Sequence, residues 1–383
     1  MKKTVMLIII LFLNINCIQT YASSKIVMEK SSKRVLYSEN MKEKKLIASI
    51  TKIMTSIIVI ENCNINNTVE VGQEILSMYG TNIYIEVGEK LTIKDLLYGL
   101  ILRSGNDAAM VLAINIGGTE EKFVEMMNAK AKEIGMNDTI FNNPHGLDDY
   151  TKNTSTAYDM ALLSIYAYNN DVYREISSTK KYTTKSNKKS YIWYNRNTLL
   201  SSYKYCTAGK NGYTPAAGKT LVTNANKNGM DLTIVTLDVQ DSYNVHKRLY
   251  EEMYDKYKMT KIISKGNYSL PKEYYEGNFN IDSSFYYPLS TNEMKKVSTQ
   301  LRLLSETPEK KIGYMDIKLD DKIIKSINVY KGEKKEDNNI FKKIIDYLLD
   351  ILNKLILGRQ NNLKPGPFVP MPLEIKSSVS SNL

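Results

Sequence analysis

The run Ala48-Ser49-Ile50-Thr51-Lys52-Ile53-Met54-Thr55-Ser56, continuing into Ile57-Ile58-Val59-Ile60, constrains this chain more than any other stretch. Read as a helix, it is apolar on nearly every side and belongs in a domain interior. Ile50, Ile53, Met54, Ile57 and Ile58 surround a small polar face on which Ser49 and Lys52, three residues apart, come together. A lysine taken into such surroundings is costly as a cation, and desolvation lowers its pKa toward a range useful to a base. A serine at the start of a helix lies near backbone N–H groups able to stabilise an oxyanion. Ser49 is therefore a candidate nucleophile and Lys52 its candidate base. The plainer reading is that S-x-x-K is common and that a serine before an apolar helix is an N-cap. The rest of the chain decides between the two.

At 383 residues, 43% of them hydrophobic, the chain has material for roughly two to three domains with real cores. Its formal charge of +11 suits an anionic cell wall or membrane surface. Nucleic acid is not expected, because the basic residues are scattered and no aromatic RNA-binding pattern accompanies them. No C-x-x-C or His-rich spacing suggests a metal site, so neither metal nor cofactor is expected. Cys63 and Cys206 either pair or remain buried thiols. The two histidines, His145 and His246, sit in no recognisable hydrolase motif, which leaves lysine as the better base for a serine enzyme. His145 reads as a turn residue.

In chain order, residues 1–22 form a secretory leader: Lys2 and Lys3, a short apolar run from Val5 to Leu13, and an end at Thr20-Tyr21-Ala22. The apolar core is about nine residues, well short of the ~20 needed to span a bilayer. Two short strands are expected around Lys25–Met28 and Arg34–Tyr37, and strand-like segments at Val69–Val71 and Thr81–Ile85. Thr92-Ile93-Lys94-Asp95 opens a helix with a capping box; it breaks at Ser104-Gly105-Asn106, where a polar corner meets the next helix. Glu120–Ile134 and Thr156–Tyr168 are amphipathic helices. The aromatic group Tyr191, Trp193 and Tyr194 reads as a packed hairpin. Lys210-Asn211-Gly212 precedes a strand pair, Leu221–Ala225 and Leu232–Leu237, turning at Asn228-Gly229. A strand-opening lysine followed by glycine presents a cation and an open backbone edge able to pair with an extended peptide. Asn244–Tyr257 closes this region as a helix.

The pattern is an α/β (α+β) layer in which helices separate an early and a late set of strands. It predicts a catalytic domain over 23–260 and a small all-β domain over 265–335. An amphipathic helix over 338–358 is expected to lie in a membrane surface, followed by a disordered tail over 359–383.

Three polar clusters stand in order: Ser49-x-x-Lys52, Ser104-Gly105-Asn106 and Lys210-Asn211-Gly212. This resembles the S-x-x-K, S-x-N and K-T-G signature of penicillin-binding proteins and serine β-lactamases. Leu96-Leu97-Tyr98-Gly99-Leu100, Asn143-Pro144-His145-Gly146-Leu147 and Gly212-Tyr213-Thr214 narrow the resemblance to the secreted D-alanyl-D-alanine carboxypeptidases, over roughly Ser24 to Tyr257. The resemblance implies a β-lactamase/transpeptidase-like sheet with a helical subdomain, and peptidoglycan stem peptides as substrates. It implies Ser49 as nucleophile, Lys52 as its base, Ser104 as proton relay, and Asn106, Lys210, Asn211 and Gly212 as substrate-binding residues. β-Lactams would acylate Ser49, and the protein would act at the outer face of the cytoplasmic membrane. Two positions depart from the pattern: Ile47 replaces the usual proline, and Asn211 replaces the threonine of K-T-G. The alternatives on this scaffold are a catalytically impaired wall-binding protein, a β-lactamase with Glu125 activating water, and a DD-endopeptidase.

Overall fold

The computed structural model describes residues 23–269, 278–304 and 310–332. Two compact units divide between Asp255 and Lys256. The leader, the helix expected over 338–358 and the tail over 359–383 lie outside the described residues.

The first unit is built on a five-stranded antiparallel sheet. Its strands are β1 (Ser24–Glu29), β2 (Val35–Glu39), β3 (Cys206–Thr214), β4 (Gly218–Lys227) and β5 (Met230–Leu237), in the spatial order β2-β1-β5-β4-β3. The first strand thus pairs with the last, Ser24 opposite Leu237 and Glu29 opposite Leu232. β4 and β5 turn at Asn228 and Gly229, both at positive φ, as an Asn-Gly hairpin requires. β3 is left as an edge.

Between β2 and β3 the chain is mostly helical: α1 (Lys52–Asn62), α2 (Ile93–Tyr98), α3 (Asn106–Gly117), α4 (Glu120–Ile134), α5 (Ala157–Asn169) and α6 (Asp171–Ser178). Helix α1 is the interior helix its sequence demands, with every residue from Lys52 to Val59 buried. One apolar core joins α1 to α2, α3 and α5 and to Val222, Val235 and Leu237 of the sheet. Each buried Ile or Leu there contributes about 1.5–3 kcal/mol relative to exposure. On the other face lies α7 (Ser242–Lys256): His246 meets the hydroxyls of Thr223 at 2.7 Å and Thr236 at 3.0 Å, and Tyr250 meets Thr223. Burial pushes His246 down to about 3, so this histidine is a neutral structural tie.

The capping box at Thr92 forms with Asp95 as the sequence predicts, and α4 ends at Gly135 in the left-handed conformation. Tyr191 and Trp193 are packed inside a hairpin of Lys181–Lys185 and Ser190–Tyr194, while Tyr194 is exposed. Cys63 and Cys206 are both free thiols. Thr81–Ile85 departs from expectation: it forms no strand, because the N–H groups of Ile83, Tyr84 and Ile85 are taken by the Asp107 carboxylate.

The second unit contains a five-stranded antiparallel sheet, ordered Gly266–Ser269, Asn278–Ile281, Lys322–Lys331, Lys311–Leu319 and Val297–Leu303. Phe279, Ile281, Ile317 and Val329 form its core. The hairpin between the 311–319 and 322–331 strands turns at Asp320 and Asp321, both at positive φ, a conformation aspartate tolerates.

Candidate active site

Ser49 does not open the α-helix. It sits one turn earlier, in a 3-10 turn over Ala48–Thr51, with no side-chain cap bond, and α1 proper begins at Lys52. The N-cap reading of this serine therefore fails. The turn is entered through Ala48 at φ 48°, a left-handed conformation that costs a non-glycine residue of order 1–3 kcal/mol. Gly146 holds it in place from the 143–147 turn. A Cβ built on Gly146, itself at φ +87°, would stand 2.1 Å from the Ala48 carbonyl oxygen, so only glycine fits.

Lys52 Nζ lies 3.2 Å from Ser49 Oγ and donates to Asn106 Oδ1 at 2.7 Å and to the His145 carbonyl at 2.5 Å. The lysine is fully buried, and none of these partners is a carboxylate. Burial, then the charge of Lys210, drive its pKa well below the ordinary lysine range; Asp107 opposes them only in part. The neutral amine, the form a base requires, is thereby favoured.

The second cluster is shaped by an irregular helix end. After α2 the backbone widens into a π-helical segment over Gly99–Arg103 and stops at Ser104, held at φ 66° and ψ 34°. Such bulges recur at functional sites because they re-aim the side chain that follows. Here Ser104 Oγ accepts from Lys210 Nζ at 3.0 Å. Asn106 links three segments: its Oδ1 receives Lys52, its Nδ2 donates to the Tyr79 carbonyl at 2.7 Å, and its N–H donates to Thr81 at 2.8 Å.

The third cluster lies on the edge strand β3. Lys210 is fully buried; its amine also donates to the Asn211 carbonyl at 2.7 Å, and burial with the nearby Arg196 charge pulls it down to about 7. Gly212 is a close-approach glycine: a Cβ there would lie 2.7 Å from the Ser49 nitrogen and 2.6 Å from Thr220 Oγ1. Thr220 in turn donates to the Ile47 carbonyl at 3.0 Å, fixing the entry to the Ser49 turn on the sheet. Asn211 is half-buried, and among the described residues its carboxamide has no hydrogen-bond partner. Ser49, Lys52, Ser104, Asn106, Lys210 and Gly212 thus meet at one place, with Asn211 beside them.

One neutral-prone lysine beside a serine, and a second lysine bonded to a second serine, form an arrangement suited to nucleophilic attack and proton return. Among the described residues no three His, Cys, Asp or Glu side chains gather as a metal site.

A family model described as D-alanyl-D-alanine carboxypeptidase, Peptidase S11, matches residues 14–241. The chain belongs to this family. The D-alanyl-D-alanine carboxypeptidase DacF of Bacillus subtilis is 35% identical over 215 residues, covering 55% of each protein. The chain therefore spans about half the length of that curated relative. DacA of Haemophilus influenzae is 28% identical over 360 residues, 86% of this chain and 89% of the relative. Among solved structures, penicillin-binding protein 5 of H. influenzae superposes with a TM-score of 0.68 at 25% identity, over 80% of this chain and 95% of that one.

The site of this carboxypeptidase-family chain includes groups that sequence reasoning did not assign. Asp107 is the main one. Its two oxygens accept from Ile83 at 3.0 Å, Tyr84 at 2.8 Å, Ile85 at 3.3 Å and Ala108 at 2.8 Å, stitching the 81–85 loop to the start of α3. An acid directly after Ser-Gly-Asn at a helix start was the available signal, since such an acid caps free N–H groups. The His145 and Pro144 carbonyls, accepting from Lys52 and Thr55, gave none. The His145 ring is a turn tie, its Nδ1 accepting from the Leu147 N–H at 3.1 Å, and burial lowers it to about 3.

Proposed function

We propose that this protein is a serine-type D-Ala-D-Ala carboxypeptidase that removes the terminal D-alanine of peptidoglycan stem peptides. One observation carries the reading: Lys52 is fully buried, faces no carboxylate partner and lies 3.2 Å from Ser49 Oγ. Neutral Lys52 takes the Ser49 proton as Oγ attacks the penultimate D-alanine carbonyl. The developing oxyanion turns to backbone N–H groups, that of Ser49 among them, beside the Gly212 backbone. Ser104, hydrogen-bonded to Lys210, returns a proton to the departing amine. The bond from carbonyl to D-alanine nitrogen breaks, an ester forms on Ser49, and water hydrolyses it. The terminal carboxylate is drawn to the end of the site where Lys210 and Arg196 act as cations. Asn106 holds the substrate amide, and β-lactams acylate Ser49 as mimics of the same dipeptide.

The leader-like residues 1–22 and the charge pattern support action outside the cytoplasm, at the cell wall, with the 338–358 segment held to the membrane surface. Among the described residues no helix is long and apolar enough to cross a membrane.

The test is D-alanine release from a peptide ending in D-Ala-D-Ala, with Ser49→Ala and Asn211→Thr in parallel. Release by the parent and none by Ser49→Ala is expected. Release only by Asn211→Thr would mean that the native asparagine makes a binder, and silence from all three would end the proposal.

A further inference from the structure

The two ends of the site differ in chemistry. Toward Lys210 lie Ser104 and the cations; toward the end of β3 the strand runs out through Tyr213 and Thr214. If the terminal carboxylate sits at the cationic end, the peptide on the acyl side of the scissile bond must leave past Tyr213 and Thr214. β3 is an edge strand, with an unpaired row of backbone groups for an extended chain to follow. At about 3.3 Å per residue, the residue just upstream of the penultimate D-alanine comes level with Thr214.

Three separate segments are tied together there. Thr214 Oγ1 donates to Asp148 Oδ2 at 2.5 Å, and the Tyr79 hydroxyl donates to Asp149 Oδ2. Adjacent residues 148 and 149 thus bridge the sheet edge to the segment whose carbonyl holds Asn106. Tyr79, Tyr213 and Tyr150 are 41%, 62% and 92% exposed, so three aromatic rings stand in solvent around these two hydrogen bonds. Exposed aromatic surface gathered at a cleft exit marks a contact site. Among the described residues neither Asp148 nor Asp149 has a cationic side chain within ion-pair distance, although the chain carries an excess of lysine.

We propose that Tyr79, Tyr150 and Tyr213, with Asp148 and Asp149, form an upstream subsite for the stem-peptide residue preceding the penultimate D-alanine, selecting a long aliphatic side chain that ends in an ammonium group. The rings cover the methylene chain and favour a cation over their faces, while the carboxylate oxygens accept from the ammonium. An acetylated or neutral side chain loses the charge-assisted bonds and leaves the carboxylates without a cation. The subsite rests on the proposed direction of the substrate at Ser49.

The test uses the whole protein and three peptides: acetyl-Lys-D-Ala-D-Ala with a free side-chain amine, the same peptide with that amine acetylated, and the acetylated dipeptide alone. The free-amine peptide is expected to show a kcat/KM about tenfold above its acetylated twin, the scale of one charge-assisted contact at a partly exposed site. Asp149→Asn is expected to bring that ratio close to one, and Tyr150→Ala to raise KM for both tripeptides without changing their ratio. Equal rates for the two tripeptides in the parent would overturn the subsite. If no peptide is hydrolysed, protection of Ser49 against penicillin acylation is measured with the same peptides. Selective protection by the free amine would support the subsite while the carboxypeptidase reading failed; equal protection would overturn the subsite as well.

Discussion

Gly146 packs directly on the peptide of Ala48, so close that a side chain would overlap the Ala48 carbonyl by more than an ångström of normal contact distance. The nucleophile's turn is thus shaped by a loop almost a hundred residues further along the chain. Gly146→Ala meets both that overlap and the strain of φ +87°. It should lower stability by about 2–4 kcal/mol and penicillin acylation by at least ~100-fold, since an error of about 1 Å at a reacting group has that effect. Thermal melting and acylation rates on the same variant check it; near-parent acylation would show that the turn does not depend on Gly146.

Lys52 governs the pH profile. Its pKa is depressed by burial and by Lys210, so the proton is lost well below the ordinary 10.5. Acylation of Ser49 should rise with pH along a limb far to the acid side of that value. A limb near 10.5 in the second-order acylation rate would contradict the base role. Lys52→Arg, permanently charged, should reduce acylation by at least ~1,000-fold.

Lys210 carries a stability cost that its role requires. Folded, it titrates at about 7 against 10.5 for an exposed lysine. Between those values the unfolded chain binds more protons, so stability rises with pH across the window and is lowest below 7. Lys210→Met should flatten that contribution and stabilise the unit by about 1–3 kcal/mol below pH 7. Deacylation and peptide turnover should fall sharply in the same variant. Melting curves between pH 6 and 10.5 check the slope, and a parent whose stability declines over that range would contradict it.

Asp107 touches no substrate in this scheme, yet Tyr84, Ile83 and Ile85 hang from it. Asp107→Asn keeps the volume but turns one acceptor into a donor facing N–H groups. About 2–4 kcal/mol should be lost as those donors go unpaired, each costing about 1–3 kcal/mol. KM for peptides should rise more than kcat falls, because Thr81 and Tyr79, the partners of Asn106, lie at the root of this loop. Equal losses in both constants would place Asp107 nearer the chemistry than the structure does.

Much of this was legible because local rules and global fold agree. The all-round apolarity of α1 announced its burial, the Thr92-Asp95 box its helix start, and Asn228-Gly229 its hairpin. The three polar clusters were visible in order, although their convergence depends on β3 pairing against β4 at Val222 and Thr220. What stayed hidden was long-range. A run such as Thr81–Ile85 reads as a strand by composition, and nothing local shows that its amides are claimed by a carboxylate over twenty residues later. Carbonyl acceptors such as that of His145 have no side-chain signature at all. The 3-10 turn that carries Ser49 follows from Gly146 and Thr220, residues far away in sequence.

Because β1 pairs with β5, the segment that begins this sheet waits for one made about 200 residues later. Loop closure over such a span is entropically unfavourable before other contacts exist, so the helices must gather before the sheet can be sealed. Until Met230–Leu237 arrives, one edge of Ser24–Glu29 stands open to any neighbouring chain. A chain cut short before that strand therefore has no centre to its sheet, and its fate is association rather than a smaller working enzyme.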